Sequence, residues 1–80
     1  MTMTIEHRGH TATITQTLDT IRVYLDDYRE AAITLTLEAD GWHDYAREEY
    51  DAGPTLVAID HAAALTYASE EARTEMDCLS

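Results

Sequence analysis

Four histidines and sixteen carboxylates are the side chains of this sequence with the widest chemical range. His7 and His10 flank the dipeptide Arg8-Gly9. If that dipeptide forms a two-residue turn, the two imidazoles lie opposite each other and close enough to share a metal ion. Two imidazoles without a placed carboxylate or thiol make a weak site, so we interpret them as surface histidines and predict no metal.

The remaining histidines and the cysteine do not form a catalytic pattern. His43 precedes Asp44 and His61 follows Asp60, but adjacent residues on a helix do not face each other. Cys78 is the only cysteine, and no basic neighbour activates its thiol. The three glycines lie far apart, which excludes a glycine-rich phosphate loop. We therefore predict neither an enzyme nor a cofactor.

Acidic residues dominate the charge of the chain. Sixteen Asp and Glu stand against five basic residues, all arginine, for a net charge of −11. Residues 1–18 hold one acid and one arginine, whereas residues 19–51 hold ten acids and three arginines. A field of this sign repels DNA, RNA and anionic membranes and speeds encounter with basic surfaces. We expect a basic protein partner, with no direct nucleic-acid or membrane binding.

Length and composition predict one folded domain over residues 1–80. The chain is 45% hydrophobic, which is too apolar for a disordered acidic tail. No apolar run approaches the roughly 18 residues of a membrane span, and the N-terminus lacks the core of a signal peptide. A single cysteine suits a reducing compartment. We expect the protein to stay in the cytoplasm in which it is made.

The N-terminal third predicts β-structure. Two runs of alternating apolar residues flank Arg8-Gly9, and a turn there would pair residue 7 with 10, 5 with 12 and 3 with 14. Residues 18–28 fit a helical stripe or a strand, and their β-branched content favours the strand. Residues 33–38 alternate regularly, so they predict a strand whose threonines face solvent or a partner.

The second half predicts two helices and one strand. Asp40 can cap a short helix over residues 41–51, and Gly53-Pro54 would end it. Residues 56–59 read as a short buried strand, after which Asp60 caps a C-terminal helix. One side of the middle helix would carry Trp42, Tyr45, Ala46 and Glu49. The last helix would pack Leu65, Ala68, Ala72, Met76 and Leu79 on the sheet and turn Glu70, Glu71 and Glu75 outward. The predicted class is α+β, a small antiparallel sheet with an N-terminal hairpin, packed against both helices.

Tyrosines are interleaved with the densest acids. Tyrosine completes cores and also dominates interface hot spots, and both interpretations stay open here. We expect Trp42 and Tyr45 to lie in the core. The alternative is an exposed face that docks a basic, partly apolar surface. Its candidate residues are Tyr24, Tyr28, Tyr50, Asp26, Asp27, Glu30, Asp44, Glu48, Glu49 and Asp51.

The profile of the whole chain resembles the anti-CRISPR proteins of phages and mobile elements. The resemblance lies in the length, the single α+β domain, the lack of enzyme motifs and the clustered acids with interleaved tyrosines. It implies an inhibitor that occupies the Lys/Arg channel of a type I CRISPR surveillance complex in the bacterial host. Carboxylates would stand in for phosphates there, acting as a DNA mimic that blocks target DNA binding.

Two other functions remain alternatives. The acidity and the missing lysines are also typical of salt-loving organisms, which would make the chain a structural or assembly protein of a halophile or virus. A near-neutral N-terminal hairpin argues against a uniform acidic coat. An antitoxin-like regulator that masks a basic partner would share the same electrostatics. For the oligomeric state we expect a monomer or a weak homodimer, because −11 on each copy opposes close approach.

Overall fold

Six β-strands precede one helix along the described chain. The computed structural model describes the backbone of residues 2–49 and 53–79 and the side chains of residues 2–44 and 55–79. The elements are β1 (Thr2–His7), β2 (His10–Gln16), β3 (Thr20–Leu25), β4 (Ile33–Glu38), β5 (Gly41–Glu49), β6 (Gly53–Ala58) and α1 (His61–Leu79). Each strand pairs antiparallel with the next, so the strand order in the sheet is the order in the chain. Successive connections therefore fall at alternate ends of the sheet.

The predicted N-terminal hairpin is confirmed together with its register. All three predicted cross-strand pairs are present. Arg8 and Gly9 form the turn, with φ angles of 52° and 81°. Positive φ at both positions is the geometry of a type I′ turn, whose twist matches that of the flanking strands. The turn and the alternating apolar residues thus specify the same pairing.

One face of the sheet carries the hydrophobic core. Residues 20–25 and 33–38 are strands, as predicted, and their alternate side chains point to this face. Its fully buried members on β2, β3 and β4 are Ala12, Ile14, Ile21, Val23 and Leu35. Trp42 joins them from β5 at 2% exposure, which confirms its predicted place in the core.

The C-terminal helix covers this face. Asp60 caps it as predicted, since the Ala63 backbone N–H donates to the Asp60 carboxylate at 2.8 Å. The helix buries Ala64, Ala68, Ala72 and Met76 completely. Three alanines in successive turns let the helix backbone lie close to the sheet. Leu79, which was expected on this face, is 42% exposed. Glu70 and Glu75 point outward as predicted.

The predicted middle helix over residues 41–51 is wrong. Residues 41–49 form β5, between β4 and β6, and Gly53-Pro54 begins β6 instead of ending a helix. Gly41 has φ 138°, and a Cβ atom there would lie 2.6 Å from the Ala58 carbonyl oxygen. The pairing of β5 with β6 is irregular between residues 42 and 43 and between 44 and 48. These irregularities interrupt the strand alternation, which is why the sequence resembles a helix here.

The opposite face of the sheet is open and rich in threonine. Strand alternation places there eight threonines, namely Thr2, Thr4, Thr11, Thr13, Thr15, Thr20, Thr34 and Thr36. They are half-buried or exposed, which agrees with the prediction that the threonines of residues 33–38 point away from the core. Within residues 2–49 and 53–79, no helix has the length and apolar character needed to cross a membrane.

Candidate protein-interaction surface

Acidic side chains from two distant parts of the chain meet at one end of the sheet. The loop after β3 supplies Asp26, Asp27 and Glu30, and the last turns of α1 supply Glu75 and Asp77. We call these five residues the acidic end. They come together because α1 runs the length of the sheet and finishes beside the β1–β2 turn and the loop after β3. Glu75 and Asp77 were not among the predicted site residues.

Asp26 is the structural residue of the acidic end. One carboxylate oxygen accepts the backbone N–H of Thr11 at 3.0 Å, and the other lies 2.8 Å from Nδ1 of His10. The Asp26 backbone N–H donates to the Thr11 carbonyl at 2.7 Å, and the residue holds φ at 47°. The Thr11 hydrogen bond, followed by that of His10, lowers the pKa of Asp26. Asp26 therefore ties the loop to β2.

The turn of the first hairpin is tied to the helix in a similar way. His7 Nε2 lies 2.7 Å from the Asp77 carboxylate, and Arg8 Nε lies 2.9 Å from the same oxygen. His7 and His10 pair across the hairpin, but each imidazole bonds a different aspartate. No group of three or more His, Cys, Asp or Glu side chains suited to a metal occurs within the described residues. The histidines thus hold the acidic end in place.

Between the loop and the helix lies an open concavity that combines apolar and acidic groups. It has a volume of about 470 Å³, and its walls include Tyr28, Glu30, Glu75 and Leu79, together with one basic residue, Arg29. Tyr28 is 62% exposed and Leu79 is 42% exposed. The Tyr28 backbone N–H donates to the Leu25 carbonyl at 3.0 Å, so a turn fixes where the tyrosine emerges. Tyr28 is therefore not part of the core.

The position of the acids at this end opposes helix stability. The C-terminus of a helix carries a partial negative charge, which favours basic residues in the last turn. The last turn of α1 contains none, and Asp77 lies there with Glu75 just before it. Arg8 offsets the charge of Asp77, and the His7 ring lies 2.7 Å from the same carboxylate oxygen. Negative charge therefore remains at this end of the helix.

Asp44 does not belong to the acidic surface, and its predicted role as an exposed contact is wrong. It is 2% exposed, and the Tyr67 hydroxyl donates to its carboxylate at 2.8 Å. The error follows from the wrong middle helix. On a strand between β4 and β6, residues 42 and 44 both point toward α1, so Asp44 links the sheet to the helix.

The other predicted contacts lie on the open face, at the end of β5 or outside the described residues. Tyr24 is half-buried on the open face, opposite Thr13, and so lies away from the concavity. Glu48 and Glu49 lie at the end of β5, which finishes at the same end of the sheet as β3, but their side chains lie outside the described part. Tyr50 and Asp51 lie outside the described residues altogether, as does the side chain of Tyr45.

The chain matches no protein family, no curated protein and no solved structure.

Proposed function

We propose that the protein is an inhibitor that places its acidic end in the Lys/Arg channel of a nucleic-acid-binding protein. One observation carries the proposal: exposed carboxylates and exposed apolar groups lie around the same concavity. The concavity lies at the C-terminal end of α1, where negatively charged side chains lower helix stability. The resemblance to anti-CRISPR proteins makes a type I CRISPR surveillance complex the proposed target.

Three carboxylates are the proposed direct contacts. Asp27, Glu30 and Glu75 are exposed, and none forms a salt bridge with another described residue. Charge-assisted pairs with Arg or Lys would form where the target otherwise holds phosphate oxygens. Tyr28 would bury its ring against apolar stems of those basic side chains, which lengthens the lifetime of the complex. Target DNA is then excluded because its backbone needs the same cations.

Asp26 acts as a positioning residue in this proposal. Its carboxylate holds the loop against β2 through Thr11 and His10, and the loop carries both Asp27 and Tyr28. Replacing Asp26 would disorder the loop that carries the contact residues, although Asp26 is not itself a contact. Asp44 has no part in binding, because it is buried beneath the helix.

Charge reversal with a matched control tests the proposal. The double variant Asp27→Arg and Glu30→Arg removes two contacts, while Glu38→Arg and Glu70→Arg changes the net charge equally at exposed positions away from the acidic end. Binding to a purified type I surveillance complex is measured by biolayer interferometry, and folding is checked by circular dichroism. We expect the first variant to lose about 100-fold in affinity or more, since each charged contact contributes about 1.5–3 kcal/mol. The control should keep most of its affinity.

Equal losses in both variants would contradict the assignment of the acidic end, because they would show that only net charge matters. Wild-type protein that binds no such complex, and that folds only in molar salt, would contradict the inhibitor proposal as a whole. The acids would then serve solvation, as in a protein of a salt-loving organism.

A further inference from the structure

An exposed apolar groove lies at the end of the sheet opposite the acidic end. Its walls come from the loop after β2, the ends of β4 and β6, and the start of β5 and α1, and it encloses about 420 Å³. We call it the apolar groove; its lining residues are Thr17, Leu18, Leu37, Trp42, Ile59 and His61. Trp42 forms the buried floor, and the His61 ring lies 5.7 Å from its indole centre.

Three aliphatic side chains of the groove are exposed. Leu18 is 95% exposed, Ile59 71% and Leu37 41%. The backbone on both sides of Leu18 is fixed by hydrogen bonds. The Thr17 backbone N–H donates to the Thr20 carbonyl at 2.8 Å, and the Leu37 N–H donates to the Asp19 carbonyl at 2.8 Å. A preformed cluster of exposed aliphatic groups is the usual mark of a protein-docking site.

Three aspartates, Asp19, Asp40 and Asp60, lie within two residues of groove-lining residues in the sequence. Asp19 accepts hydrogen bonds from the hydroxyls of Thr17 and Thr20 at 3.2 Å each. Asp60 caps the helix through Ala63, and Asp40 lies 3.4 Å from the His43 ring. None of these three aspartates forms a salt bridge with an arginine among the described residues. Each of the three aspartates is thus bonded within the chain, and none of them to a described arginine.

We propose that the apolar groove docks a basic amphipathic helix of a partner protein. Aliphatic side chains on one face of that helix would cover Leu18, Leu37 and Ile59, while flanking Lys or Arg would pair with the aspartates at the rim. The same charge disfavours two other occupants. A second copy carries −11 itself, and an anionic membrane surface is repelled. This proposal does not depend on the function of the acidic end.

The test uses two designed peptides of 18 residues and equal composition, Leu and Lys only. One places its leucines at i, i+3, i+4 and i+7, and the other scatters them around the helix. Titrations follow the backbone amides and the Trp42 indole N–H by NMR. We expect the amphipathic peptide to bind at least 10-fold more tightly, with the largest shifts at Leu18, Leu37, Trp42 and Ile59.

Variants locate the site. Leu18→Ser with Ile59→Ser should weaken amphipathic binding at least 10-fold, whereas the matched control Leu79→Ser, at the acidic end, should not. Equal affinity for both peptides, or shifts confined to the acidic end, would overturn the proposal, as would absence of shifts at millimolar peptide. Dimerisation of the free protein that the double variant abolishes would overturn it in favour of a second copy. Peptide binding that persists in Asp27→Arg with Glu30→Arg separates this site from the acidic end.

Discussion

The two ends of the sheet carry similar charges but hold their carboxylates differently. At the acidic end Asp27 and Glu30 lie exposed beside Tyr28, while Asp26 is bonded to β2. At the groove end, Asp19 and Asp60 are bonded to hydroxyls or backbone, and the exposed groups are aliphatic. The comparison shows that an acid count does not identify a binding surface. The two ends differ in the groups that accompany the carboxylates, with an exposed tyrosine at the acidic end and exposed aliphatic side chains at the other.

The two turn glycines give the largest expected difference between the ends. Gly41→Ala should lower the free energy of unfolding by about 3 kcal/mol or more, since a side chain is strained at that φ and its Cβ would meet the Ala58 carbonyl. Gly9→Ala should lower it by only about 1 kcal/mol, because nothing lies within 4 Å of the added atom and only the positive φ opposes it. Urea denaturation of both variants measures this. Equal losses would contradict the close approach of β5 and β6 at the groove end.

Removing single carboxylates should produce a smaller effect that follows their hydrogen bonds. Asp60→Ala should cost about 1 kcal/mol of stability through loss of the helix cap. Asp27→Ala, which removes no hydrogen bond to a described residue, should change stability by less than about 0.5 kcal/mol in either direction. Thermal unfolding of the two variants side by side measures the difference. A larger loss from Asp27→Ala would show that this residue has a structural role.

Asp26 should have a pH-dependent effect. Its pKa is lowered in the folded state, so its carboxylate stabilises the fold above the unfolded pKa of about 3.9, and this contribution disappears as the pH falls through the lower folded value. Asp26→Asn should therefore be less stable than wild type at pH 7, and the difference should shrink below about pH 4. Urea titrations at both pH values test this, with Asp27→Asn as the control that shows little change. A gap that does not depend on pH would contradict the bonding of Asp26 to Thr11 and His10.

The sequence predicted the elements whose signals are local. The first hairpin follows from a positive-φ turn between two apolar sets that coincide in one register, and the last helix follows from Asp60 and the spacing of its alanines. The strand β5 could not be found in this way. Its conformation depends on pairing with two neighbours, and its irregular register with β6 gives Trp42 and the residues after it a helix-like spacing.

Residues of the candidate site were predicted only where they are neighbours in the sequence. Asp27, Glu30 and Tyr28 are neighbours in sequence, so local clustering identified them. Glu75 was missed because only the length of α1 brings the end of the chain to the loop after β3. Asp44 was included because it is close to other acids in sequence, although its strand points it at Tyr67.

Competition with target DNA tests the central claim most directly. A purified type I surveillance complex is incubated with labelled target duplex and increasing amounts of the protein at about 0.1 and 0.5 M salt, and the bound duplex is measured by fluorescence anisotropy. Displacement that is complete at low salt, weaker at high salt and lost in Asp27→Arg with Glu30→Arg is the predicted result, because the acidic end and the DNA backbone need the same cations. Simultaneous binding of protein and duplex to the complex would contradict the claim.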